Sequence, residues 1–211
     1  MQHRPLLLAS SSPYRRQLME RLGLPFQAAS PNVDESPEIS EGPEQLAVRL
    51  ALKKAEALAG DYPDHWIIGS DQIACLEDGT VLNKPGNHER AVQQLKRSSG
   101  QRVSFLTGLV LLDSGTNERQ SHCEHFHAYF RELDADEIDN YLHTETPYDC
   151  AGSFKMEGLG ITLFKRLEGD DPNSLIGLPL IALTRMLLNW GLNPLHQPHD
   201  PQRSSSRDSA K

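Results

Sequence analysis

An α/β fold, a mixed and twisted sheet flanked by helices, is what the sequence predicts. Three observations carry that expectation. Short apolar runs at β spacing alternate with amphipathic segments at helical spacing along most of the chain. Turn residues such as Glu77-Asp78-Gly79 punctuate these segments at close intervals. Two long β-type runs, 103–112 and the stretch leading to Phe130, are separated by the turn Asp113 to Asn117, so the sheet is expected to be partly antiparallel.

The elements follow in order. Leu6-Leu7-Leu8-Ala9 is an apolar strand that runs into Ser10-Ser11-Ser12, and Pro13 suits the first position of a helix whose Leu18, Met19 and Leu22 share a face. Gly23 can end that helix. The end of the strand and the free N–H groups of the first helical turn converge where the helix dipole favours an anion, which makes a phosphate site. Ser12 acting only as a helix cap is the alternative reading of the same residues. Phe26 to Ala29 is a short strand, and Pro31 to Pro43 is a loop containing Val33-Asp34-Glu35. Pro43 opens a long helix with Leu46, Leu50 and Leu58 on its apolar face. Trp66 to Gly69 is expected as a buried strand that ends at Ser70-Asp71-Gln72.

Beyond Asn83-Lys84-Pro85-Gly86, a helix is expected from about His88 to Ser98. Asp134 with Glu137 forms a capping box for a helix that buries Ile138, Tyr141 and Leu142. Ala151 to Gly158 is a glycine-bounded turn or strand edge, and 161–167 resumes a β pattern. Gly177-Leu178-Pro179-Leu180 leads into a last helix ending near Trp190. One domain is expected over 1–194, with 195–211 a disordered tail, because proline, histidine, serine and charge there replace periodic apolar residues.

Composition narrows the function. A formal net charge of −8 argues against a nucleic-acid polymer as partner, since backbone phosphates demand a basic face. No stretch approaches the ~20 apolar residues that span a bilayer, and the chain enters its first strand without a signal-like segment, so no membrane association and a cytoplasmic location are expected. Cys75, Cys123 and Cys150 are odd in number and far apart, which suits neither a disulfide framework nor zinc. A homodimer is compatible with the sequence.

The chemistry lies at the element ends. Arg15, Arg16, Lys53, Lys54 and Lys84 are cations from three segments, and Glu35 and Asp71 are carboxylates at a loop and at a strand terminus. Cations neutralise a polyphosphate, and two carboxylates can hold a divalent metal, Mg²⁺ or Mn²⁺, that bridges its oxygens. No glycine-rich Walker loop is present. His122, Cys123, His125 and His127 lack a fourth ligand at a recognisable spacing and are expected on an exposed strand, not in a metal site. Asp170-Asp171-Pro172-Asn173 is expected as a turn, not a cation site.

Eight segments, in this order, resemble the Maf family of nucleotide pyrophosphatases from about residue 5 to 194. They are Leu-Ala-Ser-Ser-Ser-Pro-Tyr-Arg-Arg, Val-Asp-Glu, Lys-Lys-Ala, Gly-Ser-Asp-Gln, Asn-Lys-Pro, Ser-Gly ahead of Thr-Gly, Ala-Gly-Ser-Phe with Glu-Gly, and Gly-Leu-Pro-Leu. The resemblance is greatest to the branch that hydrolyses N7-methyl-GTP. It implies a Maf/ITPase-like fold of two lobes around a central cleft, a divalent metal, and cleavage of a nucleotide to its monophosphate and diphosphate. It further implies Asp71 as proton acceptor. The charges themselves lead to the expectation that a metal-bound triphosphate lies across Arg15, Lys54 and Lys84, with Ser10 also on the phosphates and Glu35 a second metal candidate. Whether Asp71 is base or metal ligand stays open.

Tyr14, Gln72 and Glu157 are departures from the general family pattern, and in the resemblance these positions set substrate choice. N7-methylguanine carries a delocalised positive charge and presents N–H donors on its pairing edge, so a stacked aromatic and a facing carboxylate complement it. The family was named for an effect on septum formation. A nucleotide-responsive regulatory protein with incidental turnover is therefore the alternative expectation.

Overall fold

The computed structural model describes residues 3–196. Four strands take up the longest apolar runs: β1 (Leu6–Ala9), β3 (Trp66–Leu76), β4 (Arg102–Asp113) and β5 (Arg119–Phe130), joined by the short β2 (Phe26–Ala29) and β6 (Phe164–Gly169). They form one six-stranded sheet in the order β2-β1-β3-β4-β5-β6. β1 runs parallel to both neighbours, and the pairs from β3 to β6 are antiparallel. The sheet is mixed, as expected.

Two strand boundaries differ from expectation. β3 does not end at Gly69 but continues to Leu76, so Asp71 sits in mid-strand. The cause is tertiary, since β4 pairs with β3 from Trp66↔Asp113 to Leu76↔Val103 and gives the backbone beyond Gly69 its partners. Residues 159–163 form a 3-10 helix rather than a strand. Pairing with β5 becomes available only at Phe130↔Phe164, where β6 begins. Ala151–Ser153 is likewise a short 3-10 helix, a turn and not a strand edge.

Among the described residues the helices are α1 (Pro13–Glu20), α2 (Pro43–Ala59), α3 (His88–Ser98), α4 (Ala135–Glu145) and α5 (Leu180–Asn189). The α4 capping box is made in both directions: Asp134 Oδ1 accepts the Glu137 N–H at 2.8 Å, and Glu137 Oε2 accepts the Asp134 N–H at 3.0 Å. The expected tail lies outside the described residues except Leu195 and His196, which belong to a 3-10 turn, Pro194–His196.

Alternation along the central strands buries both sheet faces. Leu6, Leu8 and Ile68 pack with Leu18, Met19 and Leu183 under α1 and α5. Leu7, Ala9 and Ile67 pack with Ala51 and Ala55 of α2 on the other face. The far halves of β3 and β4 turn to a different core, in which Ala74, Val103 and Phe105 meet Leu95, Ile138 and Leu142 of α3 and α4. Two lobes thus share one sheet, because β3 and β4 are long enough to serve both.

Two glycines seat α2 against the sheet. A Cβ on Gly69 would lie 2.0 Å from the Ala51 carbonyl oxygen, and one on Gly108 would lie 2.2 Å from that of Ala47. Only glycine allows backbone to approach backbone so closely. Gly108 is the cross-strand partner of Asp71, so this approach brings α2 over the residue it must reach.

At the opposite end of the β3–β4 pair, Asp113 accepts N–H bonds from Gly115, Thr116 and the Trp66 indole and faces Arg4. Burial pushes this carboxyl up, but those donors and the Arg4 charge outweigh it and hold it below its ordinary value of 3.8. A depressed folded pKa gives stability that is present above the unfolded value and lost as pH falls through the folded one. Asp113→Asn is therefore expected to lower the Tm by a few degrees at neutral pH, with the gap to the native protein narrowing below about pH 4. Thermal melts of both proteins across acidic pH check this, and a constant gap would count against it.

Candidate active site

A cavity of about 360 Å³ opens between the lobes. One wall is the end of β1 and the start of α1. Ser12 Oγ caps the helix by accepting the Arg15 N–H at 3.3 Å, and Ser10 Oγ accepts the Ser12 N–H at 3.1 Å. The cap reading is correct and does not exclude the anion reading, since both hydroxyls keep a proton to donate. Arg15 lines the cavity, and its Nε–H donates to the Gly177 carbonyl at 2.8 Å. Burial lowers the Arg15 pKa while Asp71 and Glu35 oppose that change, and a guanidinium stays charged throughout. The Gly177 carbonyl also accepts the Ser70 hydroxyl at 2.8 Å, so one oxygen ties α1, β3 and the segment before α5 together.

The charged centre is compact. Lys54 Nζ lies 2.5 Å from Asp71 Oδ1 and 2.6 Å from Glu35 Oε1. Lys54 and Asp71 are each 7% exposed, which makes this a buried pair with one carboxylate at its open side. The Glu35 loop is tacked to α2, where Lys53 Nζ donates to the Asp34 carbonyl at 3.1 Å and Arg49 Nη2 to that of Ser36 at 3.0 Å. Lys53 is thus an anchor for the loop; neither it nor Arg16 lines the cavity, and Glu35 and Asp71 meet the cavity through Lys54, which does. Partial burial pushes the Glu35 carboxyl up, but the hydrogen bond and charge of Lys54, with Lys84 and Arg15 beyond, hold it below the ordinary carboxylate value. Lys84, exposed on its loop, lines the cavity.

The donor set fits a hard divalent cation. Glu35 and Asp71 carry two negative charges against the single ammonium of Lys54. Both acids offer carboxylate oxygens, the hard donors such a cation takes, and polyphosphate oxygens would supply further ligands, as Mg²⁺ usually requires.

Tyr14, Gln72 and Glu157 line the same cavity. Tyr14 is half-buried, and burial raises its hydroxyl pKa, so the ring is neutral at physiological pH. Gln72 is more constrained than its sequence position suggests. Its Nε2 donates to the Ser174 carbonyl at 2.5 Å and to Thr107 Oγ1 at 3.2 Å, which leaves the amide oxygen for a ligand.

Several contributors escaped the sequence reading. Asp171 is fully buried, and its carboxylate accepts the backbone N–H groups of Asn173 at 2.9 Å and Ile181 at 2.7 Å. It holds the segment that presents Gly177; the expected turn is the start of a 3-10 helix, Pro172–Ile176, which Asp171 caps, and the acid is spent on amides. Asp before Pro is a capping signal that pointed this way. Phe154 and Cys150 also line the cavity. Burial, helped by Asp149, pushes the Cys150 thiol up to about 12, so it is no nucleophile at neutral pH.

The His122–His127 run lies elsewhere. β5 there is half-buried rather than exposed, with Glu124, Phe126 and Ala128 pointing inward. Glu44 of α2 joins Cys123 and His125 as a third donor that spacing along the sequence does not reveal.

Comparison with known proteins supplies independent evidence. A profile of the family described as "Maf-like protein" matches residues 5–190. The chain is 57% identical over 188 residues to a protein of Pseudomonas savastanoi pv. phaseolicola named 7-methyl-GTP pyrophosphatase, covering 89% of this chain and 97% of that one. Proteins of the same name in Pseudomonas aeruginosa and Pseudomonas syringae pv. tomato are 56% and 58% identical, with the same shares covered. Among solved structures, the Staphylococcus aureus Ham1 protein superposes with a TM-score of 0.50 at 13% identity, covering 89% of this chain and 100% of that one, which is a likeness of fold.

Proposed function

This chain belongs to the Maf family, and from that premise we propose that it is a nucleotide pyrophosphatase that hydrolyses N7-methyl-GTP to N7-methyl-GMP and diphosphate. The observation that carries the reading is the Asp71–Lys54–Glu35 cluster, which through Lys54 meets a cavity lined also by Arg15, Lys84, Tyr14, Gln72 and Glu157.

Arg15, Lys54, Lys84 and the Ser10 hydroxyl bind the triphosphate and neutralise the charge that grows on the departing diphosphate. Asp71 faces Lys54 through one oxygen and has a second with which to orient water and take its proton. Water then attacks the α-phosphorus, the bond to the bridging oxygen breaks, and diphosphate leaves. Glu35 and Asp71 would hold the divalent cation, which when bound polarises phosphate oxygens and acidifies water. Tyr14 stacks on the base, and Glu157 with the Gln72 amide oxygen accepts from its donor edge. A house-cleaning role in the cytoplasm, clearing modified nucleotides before polymerases use them, follows from that selectivity.

Purified protein with Mg²⁺ and a panel of canonical and modified nucleotides tests the proposal by diphosphate release. Preferential release from N7-methyl-GTP supports it. Tight nucleotide binding without release would instead favour the regulatory reading.

Specificity rests on Glu157 more than on the Tyr14 hydroxyl, because a hydrogen bond to a charged acceptor is worth about 1.5–3 kcal/mol while Phe keeps the stacking ring. Glu157→Gln is expected to cut the preference for methylated over unmethylated GTP by about tenfold or more, and Tyr14→Phe by much less. Ratios of kcat/KM for the two substrates check this, and an unchanged ratio in Glu157→Gln would remove the assigned role.

A further inference from the structure

A second group of metal-ligating side chains sits where α3 begins and α4 ends. His88 opens α3, Asp139 and His143 lie one turn apart on α4, and each offers a ligand atom within 4.8 Å of the others. His88 Nε2 is 3.0 Å from Asp139 Oδ1, and His143 Nδ1 is 3.3 Å from Asp139 Oδ2. The two imidazole rings are 4.6 Å apart between centroids. All three residues are open to solvent on one side, so an ion can enter without unfolding.

The surrounding hydrogen bonds orient both imidazoles. The Tyr148 hydroxyl lies 3.3 Å from the Leu142 carbonyl, to which it donates, and 3.1 Å from His88 Nδ1. When the hydroxyl accepts from His88 Nδ1–H, the Nε2 lone pair is free for a cation that Asp139 Oδ1, 3.0 Å away, would share; in the other tautomer Nε2–H donates to that carboxylate, and a binding metal displaces the proton. His143 Nδ1–H donates to the Asp139 main-chain carbonyl at 2.9 Å, so the 3.3 Å approach to Asp139 Oδ2 is made by the protonated nitrogen, and Nε2 carries the lone pair. An imidazole whose other nitrogen donates to an oxygen acceptor is the usual state of a metal-bound histidine.

We propose that His88, Asp139 and His143 form a binding site for a divalent transition-metal ion of the zinc type, distinct from the Glu35–Asp71 pair. Two imidazoles and a carboxylate suit zinc and its neighbours, and they leave a coordination position for solvent. The site also has a structural consequence. The Tyr148 carbonyl accepts the Gly86 N–H at 2.9 Å, Lys84 stands two residues before Gly86, and Asp149 after Tyr148 lines the nucleotide cavity. An ion joining α3 to α4 thus braces two segments that carry cavity residues.

Titration of the full-length, nucleotide-free protein with Zn²⁺, followed by calorimetry and thermal melting, is the test. The native protein is expected to bind Zn²⁺ with a rise in Tm, and the double variant His88→Gln/His143→Gln to lose both while keeping its Mg²⁺-supported turnover. Tyr148→Phe, which removes the group that orients His88, is expected to weaken Zn²⁺ binding about tenfold. Cys123→Ser probes the competing Glu44, Cys123 and His125 group and is expected to leave binding unchanged. X-ray absorption at the zinc edge of the native protein should show nitrogen and oxygen ligands and no sulfur, which holds even if the double variant does not fold. Absence of Zn²⁺ binding, binding that survives the double variant, or a sulfur ligand would overturn the assignment.

Discussion

Asp71→Asn is expected to lower kcat by about 10²–10⁴-fold while leaving nucleotide binding measurable, the usual cost of removing a positioned acid–base group. The amide keeps the size of the carboxylate and its place in mid-strand opposite Gly108, so β3 and its pairing with β4 remain. What disappears is the negative charge that, in the proposed mechanism, accepts a proton from water and shares a cation with Glu35. Lys54 retains Glu35 at 2.6 Å, so its ammonium is not stranded. Diphosphate release under saturating N7-methyl-GTP, with calorimetric binding of the same nucleotide, separates a chemical role from a binding one. A variant turning over at the native rate would refute the assignment, and one that merely raises KM would move Asp71 from chemistry to binding.

Lys54→Met is expected to damage stability and activity together. Methionine matches the length of lysine without its charge, so Asp71, 7% exposed, loses the cation that justifies its burial. Removing one partner of a buried pair costs about 3–5 kcal/mol because the other charge is left uncompensated. In a domain of this size that corresponds to a fall in Tm of about 10 °C. Glu35 and Asp71 would then repel each other, and the triphosphate would lose one of its cations, lowering turnover by about a hundredfold or more. The double variant Lys54→Met/Asp71→Asn provides the decisive comparison. Stability should partly recover, since the stranded charge is gone, whereas turnover should not. A single variant as stable as the native protein would show that this pair is not buried in solution.

Local rules made most of the fold legible. Pro13 and Pro43 start α1 and α2 as first-turn prolines should, Asp134 and Glu137 cap α4 reciprocally, and alternation places Leu6 and Leu8 opposite Leu7 and Ala9. The misplaced boundaries have one cause. Whether β3 stops at Gly69 or continues to Leu76, and whether residue 161 or 164 begins β6, depends on the reach of a partner strand, which lies far away in sequence. Gln72 was visible as a cavity residue, but its bond to the Ser174 carbonyl crosses a hundred residues of chain.

The identities of the candidate groups were legible in the linear chain. Asp71, Glu35, Arg15, Lys54 and Lys84 could be named for the charge they carry, and Tyr14 and Glu157 through the family resemblance, before any fold was known. Their mutual placement was decided only in three dimensions. Lys54 meets Asp71 and Glu35 because Gly69 and Gly108 let α2 descend onto the sheet, and Arg15 faces the cavity because a carbonyl at Gly177 holds its Nε. Coulomb and hydrogen-bond energies change over a few ångströms, whereas sequence spacing constrains position that finely only within a single helix turn or strand pair.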